Sequence, residues 1–119
     1  MNFNVQTLGC KVNAYESEYI KELFLKRGYR ETDVDKAEVV VVNTCTVTNQ
    51  ADAKSRKLIR QVKRNNQKCI LVVCGCAAEN HKENLIDLDI DILIGNKDKS
   101  KIVLLVEDYK KSNEKVVKF

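Results

Sequence analysis

The sequence predicts an α/β fold, in which a small open parallel sheet of about four strands, flavodoxin-like or Rossmann-like, carries helices on both faces. Two continuous apolar runs, VVVV within residues 38–42 and CILVV at residues 69–73, are typical of strands buried on both sides. Between such runs, apolar residues recur at three- and four-residue steps, which indicates helices. Because strands and helices alternate along the chain, they predict crossover connections and therefore a parallel sheet.

Four segments are predicted to be strands, and each of the first three ends shortly before a cysteine. They are residues 3–8, 38–42, 69–73 and 91–94. The tail EKVVKF at residues 114–119 is also strand-like, but no partner for it is evident from the sequence.

Three longer segments are predicted to be helices, and a short helical segment is predicted after Gly75. The three helices are residues 13–27, 50–64 and 97–111. The first is followed by Gly28, where a left-handed helix end forms most easily. The residues predicted to face the sheet are Tyr15, Tyr19, Ile20, Leu23 and Phe24 in the first helix, Ala51, Leu58, Ile59 and Val62 in the second, and Ile102, Leu105, Val106 and Tyr109 in the third.

The composition fits one folded domain of 119 residues, with 44% hydrophobic and 32% charged residues. The 21 basic and 17 acidic residues give a net charge of +4, which by itself is weak evidence for nucleic-acid binding. No segment has the roughly 18 to 20 continuous apolar residues that span a bilayer. The N-terminus lacks a basic region followed by a long apolar stretch. We therefore expect a cytoplasmic location and no membrane partner.

Five cysteines carry the strongest functional signal in the sequence. Since disulfides are rare in a reducing compartment, this number favours metal binding or thiol chemistry. Cys10, Cys45 and Cys76 each follow a predicted strand, so they share the carboxyl edge of the sheet, where open α/β sheets bind ligands. Three thiolates suit a soft metal or an iron–sulfur cluster with one iron left open. Zinc is the rival metal, although its structural sites usually have four protein ligands.

The remaining cysteines and the single histidine have plainer interpretations. Cys69 lies inside a predicted strand, where core packing is expected. Cys74 is two residues before Cys76, so on an extended strand both side chains point to the same side. Cys74 is therefore either a structural residue or an alternative ligand. His81 is predicted to be a surface residue.

Three segments of the chain resemble the N-terminal domain of the tRNA methylthiotransferases, which are radical S-adenosylmethionine (SAM) enzymes. They are TLGCKVNAYESE (7–18), VVVVNTCTVTNQADAKSRKLIRQ (39–61) and VVCGCAAE (72–79). The segments follow the family's order, and the resemblance covers roughly the first 95 residues. LGCKVN with the following YESE is most similar to the branch that modifies N6-threonylcarbamoyladenosine in tRNA.

The resemblance implies that one cysteine of each segment is a ligand of an auxiliary [4Fe–4S] cluster. These residues are Cys10 in LGCKVN, Cys45 in NTCTVT and Cys76 in CGCAAE. In the family's third motif the ligand directly follows a glycine, which selects Cys76 over Cys74. Cys74 occupies a position where the family usually has a small or hydroxyl residue.

The resemblance also implies domains that are missing from these residues. A radical SAM domain would hold S-adenosylmethionine and a second [4Fe–4S] cluster in a CxxxCxxC motif, which this sequence lacks, and a TRAM domain would contact RNA. We expect residues 1–111 to be the cluster domain and residues 112–119 to begin the connection to the radical SAM domain. Such an enzyme adds sulfur and a methyl group to carbon 2 of the adenosine 3′ to the tRNA anticodon, and the auxiliary cluster supplies the sulfur.

Further candidates surround the predicted ligands, and other functions remain open. Four polar residues are candidates for hydrogen bonds to the cluster or for turn and capping roles: Asn13, Asn43, Thr44 and Thr46. Six basic residues of the second helix form a face that suits tRNA phosphates, another domain or solvent: Lys54, Arg56, Lys57, Arg60, Lys63 and Arg64. The alternative functions are a non-catalytic α/β docking domain and a small zinc- or thiol-binding protein.

Overall fold

The computed structural model has one parallel sheet with helices packed on both of its faces, and this confirms the predicted fold class. The residues that it describes are 2–7, 11–44, 49–75, 90–94, 100–113 and 116–118. Within these ranges, no helix combines the length and the apolar character that crossing a bilayer requires.

The sheet contains six strands in the described part of the chain. They are β1 (Asn2–Thr7), β2 (Arg30–Glu31), β3 (Val39–Thr44), β4 (Ile70–Gly75), β5 (Ile92–Ile94) and β6 (Val116–Lys118). Every neighbouring pair is parallel, and the strand order is β2-β1-β3-β4-β5-β6. The four predicted strands are β1, β3, β4 and β5. The predicted number of about four was too low, because the two-residue β2 and the three-residue β6 extend the sheet at its two edges.

The strand-like tail has a partner that the sequence did not reveal. β6 pairs with β5, with Ile92 opposite Val116 and Ile94 opposite Lys118. Residues 116–118 therefore belong to the same sheet as the rest of the chain. The domain boundary expected at residue 111 stays a prediction.

The three predicted helices are α1 (Lys11–Lys26), α2 (Asn49–Asn65) and α3 (Ile102–Ser112). α1 is followed by Gly28, which has a φ of 87° and thus the left-handed conformation that the sequence predicted. α3 is followed by Asn113, which has a φ of 57° and whose N–H donates to the carbonyl of Tyr109. The short helical segment predicted after Gly75 falls outside the described residues and stays a prediction.

The inner face of α1 differs in part from the prediction. Ile20 and Phe24 are fully buried, as expected, but Tyr15 is 80% exposed and Tyr19 is 43% exposed. The buried position one turn before Ile20 belongs to Ser17. The prediction was wrong for the two tyrosines because a tyrosine hydroxyl tolerates water, so an apolar count overestimates how often the ring faces inward.

The core consists of two layers, one on each side of the sheet. Alternate residues of β3 divide between the layers: Val39 and Val41 pack in one, Val40 and Val42 in the other, and all four are fully buried. Burial of a valine side chain stabilises the fold by about 1.5–3 kcal/mol. This run therefore anchors the centre of the sheet, as its continuous β-branched sequence predicts.

The helices lie on opposite faces of the sheet, and the strand order reverses between two of its central strands. α1 and α3 pack against the layer that contains Val39 and Val41, whereas α2 packs against the layer that contains Val40 and Val42. The strand order reverses between β1 and β3, because α1 leads outward to β2 and α2 leads in the other direction to β4. At such a reversal, open α/β sheets bind ligands beyond the carboxyl ends of the two strands.

Candidate metal centre

Three adjacent strands end together at the carboxyl edge of the sheet. Thr7 of β1 is paired in register with Asn43 of β3, and Asn43 is paired with Cys74 of β4. One residue further, Thr44 is paired with Gly75. Since neighbouring strands lie about 4.8 Å apart, the ends of β1 and β4 are separated by about 10 Å.

The three cysteines predicted to be cluster ligands lie outside the described residues. In the sequence, Cys10 is three residues after the end of β1, Cys45 directly follows β3, and Cys76 directly follows β4. Their shared site therefore stays a prediction. Within the described ranges, no three cysteine, histidine or acidic side chains form a group that could hold a metal ion.

A chain of polar side chains crosses the sheet just below this edge. Asn43 is fully buried, and its Nδ2 donates to Oγ of Ser17 at 3.1 Å. Ser17, which is 2% exposed, also shares a hydrogen bond of 2.6 Å with Oγ1 of Thr7. On the other side, Sγ of Cys74 lies 3.9 Å from Oδ1 of Asn43, a distance at which a thiol donates weakly. This polar chain of side chains thus connects β1, α1, β3 and β4.

Each of the three segments that resemble the family, residues 7–18, 39–61 and 72–79, contributes at least one side chain to this polar chain. Asn43 was predicted from the sequence as a candidate for hydrogen bonds to the cluster or for a turn or capping role, and its described bond is to Ser17. Ser17 of YESE was not predicted. A signal for Ser17 was present: it lies three residues before Ile20 and seven before Phe24, on the inward stripe of α1. A polar residue on such a stripe requires a hydrogen-bond partner. Asn13 and Thr46 have no described side chains, nor has Thr44.

The two described cysteines are core residues. Cys69 is 4% exposed and packs on the α2 side of the sheet, which confirms the prediction for this residue. Cys74 is fully buried on the α1 side, within the same layer as Val72. Neither forms a disulfide. His81, predicted to lie at the surface, is outside the described residues.

The basic residues of α2 divide into two groups. Lys63 is turned inward, and its Nζ lies 3.4 Å from Oδ2 of Asp91 and 3.3 Å from the carbonyl oxygen of Cys69. Arg56 is partly buried, and the exposed basic residues are Lys57, Arg60 and Arg64. The side chain of Lys54 is not described. Among the described side chains, the predicted basic face thus consists of Arg56, Lys57, Arg60 and Arg64, and Lys63 is not part of it.

The sequence matches a known family model and several curated relatives. The model described as uncharacterized protein family UPF0004 matches residues 2–95. The threonylcarbamoyladenosine tRNA methylthiotransferase MtaB of Aquifex aeolicus is 39% identical over 119 residues, which cover 98% of this chain and 29% of the relative. The protein of the same name from Bacillus subtilis is 39% identical over 112 residues, which cover 92% of this chain and 25% of the relative.

The chain is also similar to a relative that is named for a different nucleoside. The tRNA-2-methylthio-N(6)-dimethylallyladenosine synthase of Fervidobacterium nodosum is 31% identical over 117 residues, which cover 98% of this chain and 27% of the relative. The chain therefore spans between a quarter and three-tenths of the length of these three relatives.

Proposed function

The chain belongs to the protein family UPF0004, as its three motifs predict, and on this premise we propose that it is the iron–sulfur-cluster domain of a tRNA methylthiotransferase. In this proposal Cys10, Cys45 and Cys76 hold an auxiliary [4Fe–4S] cluster, and tRNA is the substrate of the whole enzyme. The observation that carries the proposal is the common ending of β1, β3 and β4, because each of these strands leads into one of the three cysteines.

Covalent geometry supports a shared site. Consecutive Cα atoms are 3.8 Å apart, so a cysteine that directly follows a strand stays close to the end of that strand. Cys45 and Cys76 follow Thr44 and Gly75, which are register partners on neighbouring strands. Cys10 follows β1, the strand that forms the topological reversal with β3. Cysteines that are far apart in sequence can therefore converge at this edge without a local CxxC motif.

The electrostatic environment of this edge favours thiolates. α1 begins at Lys11, directly after Cys10, and α2 begins at Asn49, four residues after Cys45. The first N–H groups of both helices point toward the carboxyl edge, where the helix dipole is positive. A positive potential stabilises the deprotonated cysteine that binds metal. Three soft thiolate donors fit an iron–sulfur cluster better than they fit the hard cations calcium and magnesium.

The chain's own residues act as ligands and as supports for the ligands. A four-iron cluster with three cysteine ligands retains one iron without a protein ligand, and such a cluster, when bound, supplies the sulfur for transfer. The polar chain from Thr7 through Ser17 and Asn43 connects the elements from which the ligand loops emerge. Cys10, Cys45 and Cys76 are thus assigned to metal binding and have no acid–base role.

The remainder of the enzyme is proposed to provide the radical chemistry. The chain spans 25–29% of the length of the relatives, so most of their residues have no counterpart in it. We assign the second [4Fe–4S] cluster and S-adenosylmethionine to a radical SAM domain, and further RNA contacts to a TRAM domain. A cytoplasmic location suits both the tRNA substrate and cysteines that must stay reduced.

Iron loading tests the cluster. After anaerobic reconstitution with iron and sulfide, the chain should bind about four irons and show iron-based absorption. Replacement of Cys10, Cys45 or Cys76 by Ala should remove most of this iron. Cys69→Ala is the matched control, because Cys69 is a buried thiol in the other core layer and its variant should retain the iron. Cys74→Ala should also retain it, which would assign the third ligand to Cys76.

Two results would contradict the cluster. One is a folded chain, checked by circular dichroism, that retains zinc and shows no iron-based absorption after reconstitution. The other is iron loading that is equally sensitive to Cys69→Ala and Cys45→Ala, since that would indicate nonspecific thiol binding.

The proposed nucleoside is N6-threonylcarbamoyladenosine next to the anticodon. Two relatives named for threonylcarbamoyladenosine are 39% identical to the chain, and two named for dimethylallyladenosine are 36% and 31% identical. Introducing Cys45→Ala in the cell's own copy should abolish 2-methylthio-N6-threonylcarbamoyladenosine in total tRNA, measured by mass spectrometry of nucleosides. Loss of the dimethylallyl derivative instead would reassign the substrate.

A further inference from the structure

The net positive charge of the chain is concentrated on one helix. α2 contains six basic residues and one acidic residue, whereas the remainder of the chain contains 15 basic and 16 acidic residues. α1 and α3 are balanced, with three basic and three acidic residues and with two of each. The overall excess of +4 is therefore a local property of α2.

Two basic side chains outside α2 have acidic partners among the described residues. Lys21 lies 3.2 Å from Glu31, and Arg27 lies 3.2 Å from Glu107. On α2, Lys57, Arg60 and Arg64 are exposed and form no ion pair with any residue that the structure describes. Because like charges four residues apart on a helix repel each other, Arg60 and Arg64 disfavour the helix unless an anion lies beside them.

These residues form a line along the helix. With a rise of 1.5 Å per residue, Lys57, Arg60 and Arg64 are separated by 4.5 Å and 6 Å along the axis. Together with Arg56 and Gln61 they line a surface depression of about 380 Å³. A site for a single small anion would have cations that converge on one point. The cations of α2 instead form a line, which matches a polyanion with regularly spaced negative charges.

We propose that the α2 basic face, defined as Arg56, Lys57, Arg60 and Arg64, binds the phosphate backbone of the RNA substrate. This inference rests on the proposed function for the identity of the polyanion. It extends that function by assigning RNA contacts to the cluster domain itself.

The composition of this face favours RNA over a protein partner. Protein interfaces have an apolar or aromatic centre. The apolar residues Ile59 and Val62 of α2 are buried against the sheet. Among the described residues, the large exposed hydrophobic side chains belong to α1 and α3. Direct contacts to phosphates need no apolar centre, since they depend on cations and counterion release.

The direction of α2 also suits an RNA substrate that must reach the proposed cluster. The helix starts beside the carboxyl edge of the sheet, and Arg56 and Arg64 lie about 10 Å and about 22 Å further along its axis. An RNA stem along this helix would thus run toward the proposed cluster. Its loop, with the nucleotide to be modified, would be directed to the same edge as Cys45.

Salt-dependent binding of an RNA hairpin tests this inference. The probe is an unmodified anticodon stem-loop, followed by fluorescence anisotropy at several salt concentrations. The variant Lys57→Gln, Arg60→Gln, Arg64→Gln should bind at least tenfold more weakly, and its log affinity should depend less steeply on log salt, by about 2. Glutamine is chosen because its helix propensity is close to that of lysine and arginine.

The matched control removes the same charge from the opposite face of the sheet. Lys26, Lys101 and Lys111 are exposed residues at the ends of α1 and α3. Their triple replacement by Gln should change the affinity by less than threefold. Equal weakening in both triple variants would overturn the inference, because it would show a dependence on net charge alone. Unchanged RNA binding in the α2 variant, or no RNA binding by the original chain, would overturn it as well.

Iron content measured on the same proteins separates this inference from the proposed function. The α2 variant should load iron normally, because the substituted residues lie about 12 Å or more along the axis from the start of α2, which is the end nearer the proposed cluster. A chain that binds RNA through α2 without loading iron would contradict the cluster and leave this inference intact. A chain that loads iron and binds RNA independently of α2 would contradict only this inference.

Discussion

At the scale of single residues, Asn43 shows how the candidate edge is built. Its side chain is fully buried, and a buried amide destabilises a protein unless its polar atoms are bonded. Nδ2 donates to Ser17, and Oδ1 faces the thiol of Cys74. The residues of this polar chain come from four elements, so their bonds fix the ends of β1, β3 and β4 relative to α1.

Ser17→Ala should lower the free energy of unfolding by about 1–3 kcal/mol, because it removes an acceptor from the buried amide of Asn43. Urea denaturation of the apo chain measures this loss. Ser112→Ala is the matched control, since Ser112 is exposed at the end of α3, and it should change the stability by less than about 0.5 kcal/mol. Equal losses in both variants would show that the bond to Asn43 contributes nothing specific.

At the scale of elements, Asp91 connects the short β5 to its neighbours. Its Oδ2 accepts a hydrogen bond of 2.8 Å from the N–H of Leu71 and lies 3.4 Å from Lys63, and its Oδ1 accepts a bond of 2.9 Å from the hydroxyl of Tyr109. In return, the N–H of Asp91 donates to the carbonyl of Leu71. One carboxylate therefore links β5 to β4, α2 and α3.

Asp91→Ala should lower the free energy of unfolding by about 2–4 kcal/mol, since it removes the acceptor of the Leu71 N–H and the charged partner of Lys63. Asp91→Asn should recover part of this loss, because the amide oxygen can still accept one bond. Chemical denaturation of both variants gives the two values. Asp108→Ala, at an exposed position of α3, is the control; if it were as destabilising as Asp91→Ala, the proposed role of Asp91 would be wrong.

The sequence predicted elements best where a single local pattern decides the structure. The valine run of β3 has a continuous apolar signal, and all four valines are buried on the two faces as predicted. The inner face of α1 was harder to predict, because Ser17 is buried through a hydrogen bond to a residue 26 positions away. Asp91 gives no local signal at all, since its partners lie on three other elements.

At the scale of the whole molecule, alternation of strands and helices predicted a parallel α/β sheet but could not give its order. Both side chains of β2, Arg30 and Glu31, are exposed, so the strand has no hydrophobic pattern and exists through its pairing with β1. The topological reversal depends on that pairing. For the candidate site, the sequence predicted three cysteines at one edge, and the structure adds the in-register strand ends and the polar chain beneath them.

The other edge of the sheet leads to a prediction about the domain boundary expected at residue 111. β6 covers β5, whose residues Ile92, Leu93 and Ile94 are fully buried. Without β6, the backbone groups of β5 would form an open apolar edge, which promotes strand pairing between molecules.

A chain that ends at Asn113 keeps α3 and its left-handed end, and it should unfold at a lower temperature and self-associate in size-exclusion chromatography with light scattering. Replacement of residues 114–119 by a Gly/Ser segment of equal length should have the same effect, because the strand and not the length of the tail is needed. If both altered chains stayed monomeric with an unchanged unfolding midpoint, β6 would be dispensable and the boundary at residue 111 would stand.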